Sequence, residues 1–181
     1  MGFFENFQSA LYQALIQDDR YLLYVNGIVK TIEISLLAII IGIAIGLVIA
    51  VCKVASSNNK HLKWLNIICN LYITIIRGTP VMVQLLIIYN LIFTSRNTNE
   101  VVVGAICFGI NSGAYVAEII RAGIESIDIG QMEAGRCLGL NYIKTMRYII
   151  IPQAIKNILP ALGNEFIVCL LYTSPSPRDS T

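Results

Sequence analysis

The chain has 181 residues, of which 56% are hydrophobic and only 13% are charged, whereas a soluble domain usually carries about a quarter charged residues. This composition excludes a disordered chain, a collagen-like fibre and a disulfide-stapled secreted module, and it argues against a soluble enzyme. The net charge is only +2 and no run of lysine or arginine occurs, so the chain lacks the basic surface that nucleic-acid binding needs. The composition is typical of a membrane protein with several spans.

The cysteines and the histidine predict no metal site. The five cysteines are widely spaced, no CxxC pair occurs, and His61 is the single histidine, so the residues do not match a metal-ligand pattern. A free thiol in an apolar segment behaves as a small hydrophobic group. We therefore interpret the cysteines as packing residues.

The clearest apolar segment is Ile34–Cys52, which contains no charged residue. About twenty apolar residues form a helix long enough to cross a ~30 Å hydrocarbon core, so this segment predicts the first span. Residues 1–20 are predicted to form an external N-terminal segment, and the mixed residues up to Glu33 an interfacial lead-in.

The next apolar region, Trp64–Thr94, is interrupted by Arg77–Pro80. Thr79 is a candidate N-cap, and Pro80 suits the first position of a helix that follows it. The sequence leaves two alternatives open: an interfacial helix followed by a short span, or one long kinked span.

Two more apolar segments follow. Val101–Ile120 carries many small residues, which allow close contact between helices in lipid. The segment from Tyr148 to Leu171 contains two prolines, Pro152 and Pro160, which predict breaks. The sequence thus predicts about four spans.

Basic residues predict the orientation of these spans. The Lys53–Lys63 loop holds three lysines and no acid, and Arg121–Arg147 holds four basic residues, whereas Ser95–Glu100 holds only one. Because cytoplasmic loops are enriched in lysine and arginine, the first and third of these loops are predicted to be cytoplasmic and the N-terminus external.

The cytoplasmic loop at about 121–148 is predicted to contain two short helices. Asp128 is placed to cap the first, and Gly139 to end it in a left-handed conformation. Asn141 is placed to cap the second helix, which is predicted to end at Ile151, before Pro152. A helix–Gly–helix of this kind forms a rigid knob that can transmit force to a partner.

The residues of this loop carry a family resemblance. Glu133-Ala134-Gly135 is followed after three residues by Gly139, and after nine more by Ile149-Ile150-Ile151-Pro152. This resembles the EAA loop of ATP-binding-cassette (ABC) importer permeases, whose pattern is E-A-A, x3, G, x9, I-x-L-P. The chain departs from it at Gly135, in place of the second Ala, and at Ile151, in place of Leu.

Other segments are similar to the polar amino acid branch of the same family. They are Arg77–Pro80 with Val83–Leu85, Ala117–Ile124, and Asn164–Ile167. The resemblance implies an all-α polytopic transmembrane permease of the type I ABC importer fold, in the bacterial inner membrane. Residues 21–171 would form this permease domain, with about four spans of an expected five.

The resemblance also implies a function and partners. The chain would be the transmembrane subunit of an ATP-driven importer of polar amino acids. It would work with a cytoplasmic ATPase dimer, a second permease subunit and an external solute-binding protein. The residues implied to form the coupling loop to the ATPase are Glu133, Ala134, Gly135, Gly139, Ile149 and Pro152.

Three charged residues are candidates for the substrate path. Arg77 could lie on the substrate path or anchor its helix at the membrane interface. Glu118 could lie on the substrate path or pair with Arg121. Glu165 lies in an apolar segment, where a carboxylate is costly and therefore a functional candidate. It could meet the amino acid substrate or pair with Lys156.

The sequence lacks other chemistry-bearing motifs. No GxxxxGK[ST] occurs, so no phosphate-binding loop is predicted and the chain is expected not to be an enzyme. ATP and Mg²⁺ would belong to the partner subunit, with no cofactor in this chain. The alternatives are a stand-alone channel or ion-coupled transporter, and a truncated scaffold that transports nothing.

The last residues, 172–181, are rich in serine and proline and cannot span a membrane. They look like foreign sequence joined at a truncation, and we predict a non-native tail there.

Overall fold

The computed structural model describes Gly2, Gln8, Tyr12 and residues 20–58, 63–91 and 99–173. Those three ranges are helical apart from short connections, which confirms the predicted all-α fold. The helices are α1 (Arg20–Asn58), α2 (Lys63–Gly78), α3 (Val81–Leu91), α4 (Glu100–Glu125), α5 (Ile129–Cys137), α6 (Tyr142–Thr145) and α7 (Ile151–Thr173). A π-helical turn at Met146–Ile150 joins α6 to α7 without interruption.

Helix α1 is longer than the predicted first span. It has 39 residues and is therefore about 58 Å long, well beyond the ~30 Å of a hydrocarbon core. The residues before Ile34, predicted as an interfacial lead-in, continue this helix. The external segment predicted at 1–20 lies almost wholly outside the described residues, and so does His61. Of the tail predicted at 172–181, Tyr172 and Thr173 continue helix α7, and residues 174–181 lie outside the described residues.

Glycines bring α1 and α4 into close contact. In each helix two glycines four residues apart face the other helix: Gly42 and Gly46 in α1, and Gly109 and Gly113 in α4. A Cβ atom added at Gly46 would lie 2.5 Å from Val116 Cγ1. The contact confirms the predicted helix-packing role of the small residues in the third span, since only glycine lets the two backbones approach so closely.

The helix directions follow from the residues in contact. Ile34 lies beside Gly104, and Gly46 beside Val116, so α1 and α4 run parallel. Helix α7 runs antiparallel to both helices: its end is bonded to α1 through Thr173, and residues near its start lie against the end of α4. Because α1 and α4 run in the same direction, the chain between them has to cross a bilayer back to its starting side.

Hydroxyl groups join the C-terminal end of α7 to the first half of α1. Thr31 Oγ1 donates to the Thr173 carbonyl oxygen at 3.2 Å, and Ser35 Oγ lies 2.8 Å from Thr173 Oγ1. Ser35 is fully buried. Such bonds hold the helices together where water is absent, because each hydroxyl group would otherwise be unpaired in an apolar environment.

The prediction that prolines break the fourth apolar segment is wrong, as is the predicted helix end at Ile151. The helix runs from Tyr142 to Thr173, with Pro152 near the start of α7 and Pro160 inside it. Proline removes one hydrogen bond and its ring crowds the carbonyl group four residues earlier. For Pro152 that carbonyl belongs to Tyr148, which lies in the π-helical turn, where the backbone is wider.

Within the described residues, three helices are long and apolar enough to cross a membrane, and α2 with α3 forms a further bent pair. The pair is bent by 106°, so one continuous helix does not run through the Arg77–Pro80 break. With the bent pair taken as one span, the count reaches the predicted four.

Candidate functional site

The predicted coupling loop forms two short helices joined at Gly139. Asp128 Oδ1 accepts a hydrogen bond from Gly130 N at 2.6 Å, and Asn141 Oδ1 accepts one from Lys144 N at 2.9 Å. Both predicted N-caps are confirmed. The caps fix where each helix begins because they satisfy backbone N–H groups that have no partner within the helix.

Gly139 ends α5 in the left-handed conformation that the sequence predicts, with φ at +79°. Leu140 N donates to Gly135 O at 3.1 Å, and Gly139 N donates to Arg136 O at 2.9 Å. These two bonds form a Schellman motif, which satisfies the last carbonyl groups of the helix. The turn between α5 and α6 is therefore defined by the backbone itself, and a residue with a Cβ would be strained there.

The loop is attached to the membrane helices at several points. Gln153 Nε2 donates to Gln131 Oε1 at 3.4 Å, which joins α7 to α5. Asn157 Nδ2 donates to Ser126 Oγ at 2.9 Å, next to a close approach of Gly123 to Ile158. Hydrogen bonds thus fasten α7 to α5 and to Ser126 at the end of α4.

The surface of the loop is partly apolar. Ile129 and Leu138 are each 77% exposed, and Ile143 is 71% exposed. Glu133 and Ala134 are exposed as well, whereas Gly135 is buried. The loop thus presents three large apolar side chains at its surface.

Arg77 and Glu118, two of the three predicted substrate-path residues, lie together. Arg77 Nη1 is 4.0 Å from Glu118 Oε1, and the Arg77 guanidinium carbon lies 5.3 Å from the centre of the Tyr115 ring. Glu118 also accepts a hydrogen bond from Arg121 Nε at 2.9 Å, and Arg121 bridges to Glu125. The pairing predicted for Glu118 with Arg121 is confirmed, and the cluster links α2 to α4.

Glu165, the third candidate, is apart from this cluster. It is 8% exposed and lies beside Ser112 of α4. Ser112 Oγ is buried, and no hydrogen bond of ordinary geometry joins it to another of the described residues. The alternative of a pair with Lys156 is wrong: Lys156 is exposed, and nine residues along a helix place two side chains on opposite faces.

The 106° bend is held by Gln84 of α3. Pro80 has no N–H group, so it cannot bond the Ile76 carbonyl group four residues earlier. Gln84 Nε2 donates to that carbonyl at 2.7 Å and to Thr79 Oγ1 at 2.6 Å. Gln84 Oε1 in turn accepts from Asn111 Nδ2 of α4 at 3.0 Å, so one side chain anchors the bend to α4.

Thr79 does not act as the predicted N-cap. Its hydroxyl group donates back to Ile75 O at 2.9 Å, and α3 begins after Pro80, whose carbonyl oxygen accepts from Val83 N at 3.0 Å. The threonine therefore binds the exposed carbonyl end of α2. This is the more favourable arrangement because the proline has left that end short of donors.

Comparison with known proteins identifies the family. Residues 42–174 match the family described as "Binding-protein-dependent transport system inner membrane component", over most of the chain. The chain belongs to this transport family. A membrane component needs helices that can span a bilayer, and three of the described helices are long and apolar enough to do so.

Similar proteins are named as amino acid permeases. The putative glutamine transport system permease protein GlnP of Rickettsia prowazekii (strain Madrid E) is 43% identical over 150 residues, which cover 82% of this chain and 66% of that protein. The arginine transport system permease protein ArtQ of Bacillus subtilis (strain 168) is 39% identical over 144 residues, 78% of this chain and 64% of that protein. The chain thus spans slightly less than two thirds of these curated relatives.

A solved structure of the same family supports the fold. The crystal structure of an amino acid ABC transporter with histidines matches with a TM-score of 0.77 and 49% identity, over 84% of this chain and 70% of that one. The helical permease fold predicted from the EAA resemblance is confirmed.

Sequence reasoning about this family member missed two features of the site. The sequence analysis assigns Gln84 no role of its own within its segment; its position four residues after Pro80 is the signal that could identify its role. The glycine pair of α1, Gly42 and Gly46, was also missed, although its four-residue spacing is visible in the sequence.

Proposed function

We propose that this chain is the transmembrane subunit of an ATP-driven importer of polar amino acids. The observation that carries the proposal is the coupling loop: two capped helices with a left-handed Gly139 and exposed apolar side chains, fastened to α7. The relatives named as glutamine and arginine permeases support the substrate class. The separate binding protein selects which amino acid is carried.

The proposed mechanism is alternating access. An external solute-binding protein delivers the amino acid, and a cytoplasmic ATPase dimer closes when it binds ATP. The ATPase moves the surface formed by Glu133, Ala134 and Gly139, and the movement passes through Ile149 and Pro152 into α7. Because a shift between two states requires contacts that differ between them, the loop has to be held firmly by the ATPase.

The proposal includes the assembly and its orientation. A second permease subunit completes the transport path, the N-terminus is external, and the loop between α4 and α6 is cytoplasmic. The ATP and the Mg²⁺ bind to the ATPase. The lysines of the Lys53–Lys63 loop and the basic residues of Arg121–Arg147 support this orientation.

Glu165 is proposed as the substrate contact within the membrane, because it is a buried carboxyl group without a basic partner among the described residues. Arg77 and Glu118 are proposed to act at the inner end of the same path, where they tie the bent pair to α4. An amino acid offers an ammonium group that a carboxylate can bind by a charge-assisted hydrogen bond.

The test is reconstitution in proteoliposomes with the ATPase and binding protein of the same organism. Uptake of labelled amino acid should require both ATP and the binding protein. Glu133→Lys and Gly139→Pro should each abolish uptake while ATP hydrolysis continues, whereas Glu133→Asp, which keeps the charge, should retain uptake. Uptake that persists without ATP and collapses with an ion gradient would instead identify an ion-coupled transporter.

A further inference from the structure

Gly135 and Thr145 meet where α5 lies against the α6–α7 helix. A Cβ atom added at Gly135 would lie 2.4 Å from Thr145 Cγ2, 2.9 Å from Thr145 Oγ1 and 3.2 Å from Ile149 Cδ1. Gly135 is buried and Thr145 is fully buried. The two residues are therefore in contact across the loop with no room for another carbon atom.

The threonine is held in place by its own hydrogen bonds. Thr145 Oγ1 donates to Asn141 O at 3.1 Å, and Thr145 N donates to the same oxygen at 2.9 Å. On the other side, the Gly135 carbonyl group accepts from Leu140 N within the Schellman motif. Neither residue can move aside without breaking the structure at its own helix end.

The position of this contact gives it a mechanical consequence. Gly135 stands where the EAA pattern has its second alanine, directly after the exposed Glu133 and Ala134. Thr145 ends α6 and immediately precedes the π-helical turn that continues into α7. This contact therefore gives a push on α5 a route to the membrane-crossing helix, beside the Gln131–Gln153 hydrogen bond.

We propose that Gly135 and Thr145 form a size-matched seat that sets the distance between α5 and the α6–α7 helix, and that both are positioning residues for coupling. The threonine supplies in this chain the volume that the missing alanine methyl would have supplied. The inference rests on the proposed function and specifies how the loop transmits movement. If the inference is correct, a larger residue at position 135 is tolerated only when the residue at position 145 is made smaller.

The test uses substitutions that add or remove single groups, in the full chain assembled with the ATPase and the binding protein in proteoliposomes. The quantity measured is amino acid uptake per ATP hydrolysed. Gly135→Ala should lower it about tenfold, because a tenfold change corresponds to about 1.4 kcal/mol, which lies within the usual cost of added volume in a packed site. Gly163→Ala is the matched control, since a Cβ there has no neighbour within 4 Å.

A second substitution that restores uptake shows that the two residues position the helices and that Gly135→Ala does not simply damage the protein. Thr145→Ser removes the methyl group, which is the nearest clash at 2.4 Å, and keeps the hydroxyl group. Gly135→Ala with Thr145→Ser should therefore recover most of the uptake per ATP that Gly135→Ala alone loses. Thr145→Val keeps both γ positions filled, so Gly135→Ala with Thr145→Val should stay low. Equal ratios in these two double variants would overturn the seat.

A second single variant tests the inference if Gly135→Ala inserts poorly into the membrane. Thr145→Ala opens the seat, and it should lower uptake per ATP about threefold because the contact between helices is lost. A ratio equal to that of the starting protein would overturn the inference. If the starting protein itself shows no ATP-driven uptake, the proposed function fails. If it does, and Gly135→Ala matches Gly163→Ala, only the seat fails.

Discussion

The close contact of α1 with α4 predicts a sharp difference between two identical substitutions. Gly46→Ala would place a methyl carbon 2.5 Å from Val116 Cγ1, whereas Gly104→Ala would place one 3.4 Å from Ile34 Cγ2. Carbon atoms prefer a separation of about 3.5–4.0 Å. Only Gly46→Ala therefore brings two carbon atoms about 1 Å closer than this. Val116 is fully buried and β-branched, so it cannot rotate away readily.

The expected magnitude follows from these distances. Overfilling a packed site typically costs about 1–3 kcal/mol. Alanine also gains up to about 1 kcal/mol over glycine in helix propensity, but this gain is common to both variants and cancels in their difference. We therefore expect the free energy of unfolding of Gly46→Ala to be about 1–3 kcal/mol below that of Gly104→Ala.

The measurement is unfolding of the purified chain in mixed micelles by increasing SDS, followed by circular dichroism. Gly46→Ala should unfold at clearly lower SDS than Gly104→Ala. Adding Val116→Ala to Gly46→Ala should recover part of the loss, because it removes the atoms that clash. Equal midpoints for the two single variants would refute the close approach of α1 and α4 as the source of stability.

Two further predictions concern polar groups. Gln84→Met should lower the free energy of unfolding by about 1–3 kcal/mol, since it leaves the Ile76 carbonyl group unpaired. The same SDS titration tests this prediction. An equal loss in the control variant, Gln131→Met, would contradict it. Glu165→Gln should raise the KM for amino acid uptake about tenfold through loss of a charge-assisted hydrogen bond. Uptake kinetics in proteoliposomes measure it, with Glu33→Gln as the control, and an unchanged KM would remove Glu165 from the substrate path.

Local features of the loop could be predicted from the sequence because they depend on neighbours along the chain. Asp128 and Asn141 cap helices since their side chains bond N–H groups two or three residues away, and Gly139 adopts its positive φ because it alone lacks a Cβ there. The spans followed from apolar length, which the bilayer dictates. The family followed from the spacing of Glu133, Gly139 and Pro152.

Other features depended on groups that are distant in sequence. The Arg77–Pro80 break was visible, but its 106° angle depends on Gln84 and on Asn111 of another helix. The prolines suggested breaks in the last span, yet the helix continues because a π-helical turn accommodates Pro152.

The same limit applied to the charged residues of the membrane helices. Glu165 was recognised as unusual, but which side chain it faces is decided by the packing of α7 against α4 and not by its neighbours in the chain. The sequence by itself therefore determined the helices, their caps and the family. Only the tertiary structure decided which polar groups meet, because in lipid a buried polar group is stabilised by whichever helix brings it a partner.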